Sequence, residues 1–221
     1  MVPLGSKKRD LYLDWLEMAD KIIPFPSGPP SKFGFARVKK PKKEIPTPED
    51  PASSDQGRVL RFPSHLSPFG EALLLDERED REAENLYRRA ISEGDCLADA
   101  YCNLGIIESR ARRMAKAFDC FTRSLEHDPR HFESHYNLGN LYFEEDNLRL
   151  AKMHYELAAE INPTFSNLYF NLGLVLALLD DKKGAIDAFL NYQWLAPPEE
   201  RKNADDLLAW LRKSLAGPGR K

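Results

Sequence analysis

The sequence predicts an all-α fold, an α-solenoid of helix–turn–helix repeats ending in a C-terminal capping helix. Three observations predict it. Gly105, Gly139 and Gly173 lie 34 residues apart, and each follows an Asn-Leu pair. Ala117, Ala151 and Ala185 stand 13 residues after those leucines, with Phe121, Tyr155 and Phe189 four residues later and Pro129, Pro163 and Pro197 eight beyond. An upstream stretch and a downstream stretch keep helical apolar spacing without the full pattern. A fixed period of this length marks stacked units that cannot bury their apolar faces alone. Arrays of this kind offer an extended concave surface rather than a closed pocket.

The four marked positions resemble the tetratricopeptide repeat, a 34-residue helix–turn–helix unit with small, aromatic and proline residues at these places. In that frame the complete repeats are 98–131, 132–165 and 166–199. Gly and Ala permit close approach of the two helices of a unit, the aromatic fills space between units, and the proline follows a helix it cannot continue. A degenerate leading repeat spans 64–97. Ala83, Tyr87 and Ala90 occupy second-helix positions, while Gly70 stands where Leu is expected. Pro68 is placed to start the first helix after Ser67, with Leu73, Leu74 and Leu75 as its expected buried side. Residues 199–217 read as the capping helix, with Ala204, Leu207, Leu208, Leu211 and Leu215 at helical spacing.

Residues 1–63 are of a different kind. They hold 12 Lys and Arg against 8 Asp and Glu, net +4, while the remainder is net −7, and 11 of the 16 prolines lie at or before Pro68. This shift marks a boundary near residue 63. Residues 7–23 form an amphipathic helix candidate, with Tyr12, Trp15, Leu16, Ala19, Ile22 and Ile23 on one face. Its acidic polar face argues for docking on a protein, a partner or its own helices, rather than on a membrane surface. Residues 24–63 read as a Pro-rich, mostly disordered linker. The basic run at 37–43 has the composition of a nuclear import signal or polyanion contact, and Phe33 and Phe35 beside it weakly favour nucleic acid.

Nothing in the sequence supports catalysis. His127, His131 and His135 are four apart, but Pro129 interrupts any single helix that would carry them, so no metal site is expected. No phosphate-binding glycine loop and no Ser/His/Asp arrangement occurs, and no cofactor is expected. Cys96, Cys102 and Cys120 make an odd count without a pairing pattern, which points to free thiols in a reducing compartment and to a cytoplasmic protein. No stretch approaches the roughly 18 apolar residues of a membrane span.

The resemblance implies where binding happens. In tetratricopeptide proteins, fixed positions of each first helix line the concave face. Carried onto this chain, they give Asn103, Tyr136, Asn137, Asn140, Phe143, Asn167, Phe170, Asn171 and Leu174 as a peptide-binding groove. Asn103, Asn137 and Asn171 form a ladder, one rung per repeat, similar to that with which the O-GlcNAc transferase superhelix grips extended peptides. A carboxamide has an acceptor and two donors, so it can hold a peptide unit at both N–H and C=O. The implied function is an adaptor binding an extended or helical segment of another protein. The alternatives are a nucleic-acid-associated protein using its basic tail, or a regulatory subunit of a larger enzyme. The cationic clamp with which co-chaperone repeats hold acidic chaperone tails is missing. Cys102, Ile106, Asn167 and Asn171 stand where its Lys, Asn, Lys and Arg belong, and a frame one repeat earlier puts Pro68, Ala72, Glu133 and Asn137 there.

Overall fold

The computed structural model describes residues 33–38 and 66–216. The expected helix at 7–23, the rest of the linker and the basic residues after Val38 lie outside the described residues. The described residues contain nine α-helices and a short 3-10 turn: α1 Pro68–Glu77, α2 Glu82–Glu93, α3 Leu97–Arg110, α4 Met114–His127, α5 Phe132–Glu144, α6 Leu148–Ile161, α7 Ser166–Leu178, α8 Lys182–Leu195, the turn Arg201–Ala204 and α9 Asp205–Ala216. They form two compact units, Arg37–Pro129 and Met1–Ala36 with Arg130–Lys221. The first holds α1–α4 and the second α5–α9.

Within the first unit α1 packs on α2, α2 on α3 and α3 on α4; within the second, α5 packs on α6, α6 on α7 and α7 on α8. The repeat signature is explained by the helix pairs. A Cβ built on Gly105 would lie 2.8 Å from the Phe121 ring, on Gly139 2.5 Å from Tyr155, and on Gly173 2.7 Å from Phe189. Each aromatic therefore lies on the glycine of its own repeat, where the sequence suggested a role between repeats. Phe121, Tyr155 and Phe189 are fully buried, each stabilising its pair by roughly 1.5–3 kcal/mol through burial.

The first helices also end alike. Glu79, Arg112, Asp146 and Asp180 are left-handed, with φ between 56° and 61°. The next residue's N–H reaches back across the last turn: Asp80 to Leu75 O, Arg113 to Glu108 O, Asn147 to Tyr142 O and Asp181 to Leu176 O. This satisfies carbonyls that the helix end would orphan.

α1, expected as the first helix of a degenerate leading repeat, buries a different face from the expected one. Ser67 caps α1, its Oγ accepting from Gly70 N, and Pro68 takes the first turn. The buried residues are Phe69, Gly70, Ala72 and Asp76, while Leu74 is exposed. The leucine run was a poor guide because three consecutive residues spread around a helix, whereas Phe69, Ala72 and Asp76 share one side. Of the residues expected in the capping helix, Ala204 ends the 3-10 turn and is buried, Leu207, Leu208 and Leu211 of α9 are buried, and Leu215 is exposed.

Polar packing stiffens both units. In the first, buried Glu108 accepts from Arg88 at 2.7 Å and from Arg113 Nε. In the second, His135 Nδ1 and His154 Nδ1 lie 3.1 Å apart. Burial, then the neighbouring His135, lowers the His154 pKa from its ordinary value near 6.5 to about 4.

Two predictions follow from this packing. Gly139→Ala is expected to lower the melting temperature, with overpacking against the buried Tyr155 ring costing about 1–3 kcal/mol and exceeding the gain of about 1 kcal/mol in helix propensity. A higher melting temperature would mean the helix pair has slack at that point. For His154, the unfolded chain binds the extra proton first as pH falls. Stability is therefore complete above pH 6.5 and declines towards pH 4, by about 1–2 kcal/mol after allowing for screening of the partly exposed ring. Denaturant titrations at pH 7 and pH 4.5 should show this loss, and His154→Gln should reduce it.

Candidate functional site

α3, α5 and α7 each turn the glycine of the repeat signature to the second helix of the same repeat. The asparagine two residues earlier lies about 200° away round the helix, on the opposite side. That side is where residues 33–38, assigned from sequence to the linker, are found outside any helix or strand. They are not helical and lack any periodic pattern, yet five of the six are wholly or partly buried.

In the second unit the segment Phe33–Ala36 is held through its main chain. Phe33 N–H donates to Asn171 Oδ1 at 2.9 Å, and Asn171 Nδ2 donates back to Phe33 O at 3.1 Å. Ala36 N–H donates to Asn137 Oδ1 at 2.8 Å, and Asn137 Nδ2 donates to Ala36 O at 2.9 Å. Between these two residues, Gly34 O accepts from Tyr136 Oη at 3.0 Å and from Asn140 Nδ2 at 3.3 Å. The Phe33 ring meets Phe170 edge-on, centroids 5.2 Å apart, and lies 5.8 Å from Tyr192. Ala36 packs against the same apolar core.

In the first unit the same device holds Val38. Its N–H donates to Asn103 Oδ1 at 3.0 Å, and Asn103 Nδ2 donates to Val38 O at 3.3 Å. The Val38 side chain is buried. Arg37 engages Asp76 twice, Nε at 3.1 Å from Oδ2 and Nη1 donating to the Asp76 carbonyl at 3.2 Å.

The asparagines are themselves braced. Asn171 Nδ2 also donates to Tyr136 Oη at 3.0 Å and Asn140 Oδ1 at 2.9 Å, so two N–H groups serve three oxygens. Tyr155 Oη donates to Asn140 Oδ1 at 2.6 Å. In the first unit Asn103 Nδ2 donates to Tyr87 Oη at 3.1 Å, and Tyr87 Oη donates to Asp76 at 3.2 Å. Burial raises the pKa of Tyr136, and burial with the Asp76 charge raises that of Tyr87. These phenols stay protonated and keep their donors.

Of the groove residues read from sequence, Tyr136, Asn137, Asn140, Phe170 and Asn171 come together around Phe33–Ala36, and Asn103 holds Val38. Phe143 and Leu174 pack with the helix core of the second unit, and Asn167 accepts from Ser166 Oγ at 3.4 Å. Sequence reasoning missed Tyr192, which faces Phe33, and Asp76, which holds Arg37. For Asp76 a signal existed, an acid at helical spacing from Phe69 and Ala72. Among the described residues no group of His, Cys, Asp and Glu could hold a metal ion, and no helix is long and apolar enough to cross a membrane. None of the three cysteines is in a disulfide, and burial, reinforced by the Glu108 charge, pushes the Cys120 thiol up to about 12. An unreactive thiol is the result.

The comparisons with known proteins agree with this helix-pair architecture. Residues 120–153 match the family described as Tetratricopeptide repeat. The chain is 26% identical over 175 residues to Protein O-mannosyl-transferase TMTC3 of Homo sapiens, covering 69% of this chain and 19% of that protein. It is 29% identical over 113 residues to Anaphase-promoting complex subunit 3 of Schizosaccharomyces pombe, covering 51% and 17%. It thus spans less than a fifth of the length of either relative. Among solved structures it is similar to the first TPR of Spaghetti (RPAP3) bound to the HSP90 peptide SRMEEVD, with TM-score 0.51, 21% identity, and 55% of this chain and 94% of that one covered. The fold class is the all-α helical repeat expected from the sequence.

The shared donors of Asn171 generate a prediction about stability. Asn171→Ala removes them and should cost about 1–3 kcal/mol, the penalty for leaving buried polar groups unmatched. Asn171→Asp keeps an acceptor for Phe33 N–H but has no N–H to donate to Phe33 O, Tyr136 or Asn140, and it buries a charge. It should be the more destabilising of the two in urea titrations. Equal costs would mean that the acceptor alone matters.

Proposed function

We propose, for a chain that belongs to the tetratricopeptide repeat family, an adaptor function: it binds another protein by taking an extended segment onto the asparagine-bearing sides of its first helices. A protein-interaction role is the general property of the family. The finer reading rests on one observation. Asn171, Asn137 and Asn103 each bracket the N–H and C=O of one residue of the segment 33–38. Such contacts recognise main chain and are blind to side chains, so they suit any segment that can extend. Side-chain preference comes from the rings of Phe170 and Tyr192 and from Asp76.

The solved neighbour carries an acidic HSP90 peptide, but an acidic tail does not suit this site. The clamp cations are replaced here by Cys102, Asn167 and Asn171, and residues 64–221 are net negative. The nucleic-acid alternative gains nothing from Arg37, whose charge is paired with Asp76. The compartment, cytoplasmic or nuclear, stays a sequence-based expectation.

The test is a display selection of random decapeptides against the full chain. Selected peptides should bind Asn137→Ala/Asn171→Ala at least about tenfold more weakly, at about 1.4 kcal/mol per decade, since each neutral hydrogen bond contributes about 0.5–1.5 kcal/mol. Phe170→Ala should cost at least as much, aromatic anchors being the commoner hot spots. Unchanged affinity in a double variant that still melts cooperatively would move the site off these amides.

A further inference from the structure

We propose that residues 33–38 are an internal ligand that keeps the asparagine sites of the two units closed, and that the protein partner displacing them carries the same chemistry: for the second unit an aromatic residue followed three residues later by a small apolar one, and for the first unit an arginine followed by an aliphatic residue. This inference rests on the reading of the asparagines as a peptide-binding site.

Each element of that pattern comes from a contact. The aromatic is set by the Phe33 ring against Phe170 and Tyr192. Gly34 is held by its carbonyl alone, and a Cβ built on it meets nothing within 4 Å, so its place accepts other residues. Ala36 packs on the helix core of the second unit. In the first unit, Arg37 is matched to Asp76 and Val38 is buried beside Asn103. Charge agrees with this assignment, because the segment belongs to a region of net +4 and residues 64–221 are net −7. A basic, aromatic-bearing strand is what such a surface attracts.

The segment is held as a ligand is held. It adds no helix turn, and the helices close their backbone bonds without it. Its polar contacts are main-chain pairs with side-chain amides, repeated at three residues. Because the segment belongs to the same chain as the helices, its covalent tether presents it at an effective concentration on the order of millimolar. Against an intrinsic dissociation constant of about 10–100 μM, such a tether leaves roughly one molecule in ten to one in a hundred open. A partner then binds with its affinity reduced by that fraction.

The experiment titrates a fluorescent peptide of residues 31–40 into the full chain and into the full-length variant Phe33→Ala/Ala36→Pro. The proline removes the N–H that Asn137 accepts, and the alanine removes the ring. The expected result is that the variant binds the peptide about ten- to a hundredfold more tightly than the parent. The peptide carrying Phe33→Ser should bind the variant about tenfold more weakly than the unaltered peptide. Equal affinity of parent and variant would overturn self-closure and leave the peptide site standing. Loss of the cooperative melting transition in both this variant and the milder Phe33→Ala would also overturn it, making the segment part of the core. If the opened variant binds tightly but adding Asn137→Ala changes nothing, the underlying reading of the asparagines fails instead.

Discussion

A side-chain amide removed from water is costly unless its carbonyl and its N–H groups both find partners. Asn103, Asn137, Asn140 and Asn171 are all essentially inaccessible to solvent, and the rest of the structure is arranged around that constraint. Neutral helix-forming residues at those positions would make a smooth apolar face and nothing more. Carboxamides instead require a group that donates and accepts at one peptide's spacing, and an extended chain supplies it at every residue. The amides are thus a demand for a strand, met by Phe33 and Ala36 in one unit and Val38 in the other.

The repeat packing is what lets the demand be placed. Glycine under an aromatic ring fixes the rotation of each first helix against its second, and that rotation turns the asparagine two residues earlier to the other side. Tyrosine hydroxyls then hold the carboxamides in one orientation. Tyr155 donates to Asn140, while Tyr136 links Asn171 to Gly34. Raised phenol pKa values keep those hydroxyls protonated, so the arrangement is preorganised and does not rely on charge. Charge enters in the first unit, where the paired Arg37 and Asp76 add side-chain selection to a main-chain grip.

The helix pairs were legible in the sequence because their packing repeats: the same glycine, alanine and aromatic contact recurs every 34 residues. The asparagines were legible for the same reason, being locked in phase with the glycines. Phe143 and Asn167 were named with them on position alone, and the helix frame could not tell a residue that meets a strand from one that packs or caps. What the sequence hid was the strand itself. Phe33 and Ala36 reach partners more than a hundred residues away, and such contacts leave no local period. The prolines and lysines of the surrounding sequence made residues 33–38 read as part of a linker, whereas the structure holds them against the helices. Tyr136 was legible as an aromatic but not as a hydroxyl donor, since only the bound carbonyl reveals which end of the ring is used.

Residue-resolved amide hydrogen exchange in the intact chain tests the central claim most directly. A segment gripped at Phe33, Ala36 and Val38, whose N–H groups enter asparagine carbonyls, should be protected there well above Gly34 and Arg37 beside them. Introducing Asn137→Ala should release the Ala36 amide first. Uniformly fast exchange from 33 to 38, unaltered by Asn137→Ala, would contradict the account: the asparagines would then not be holding this strand.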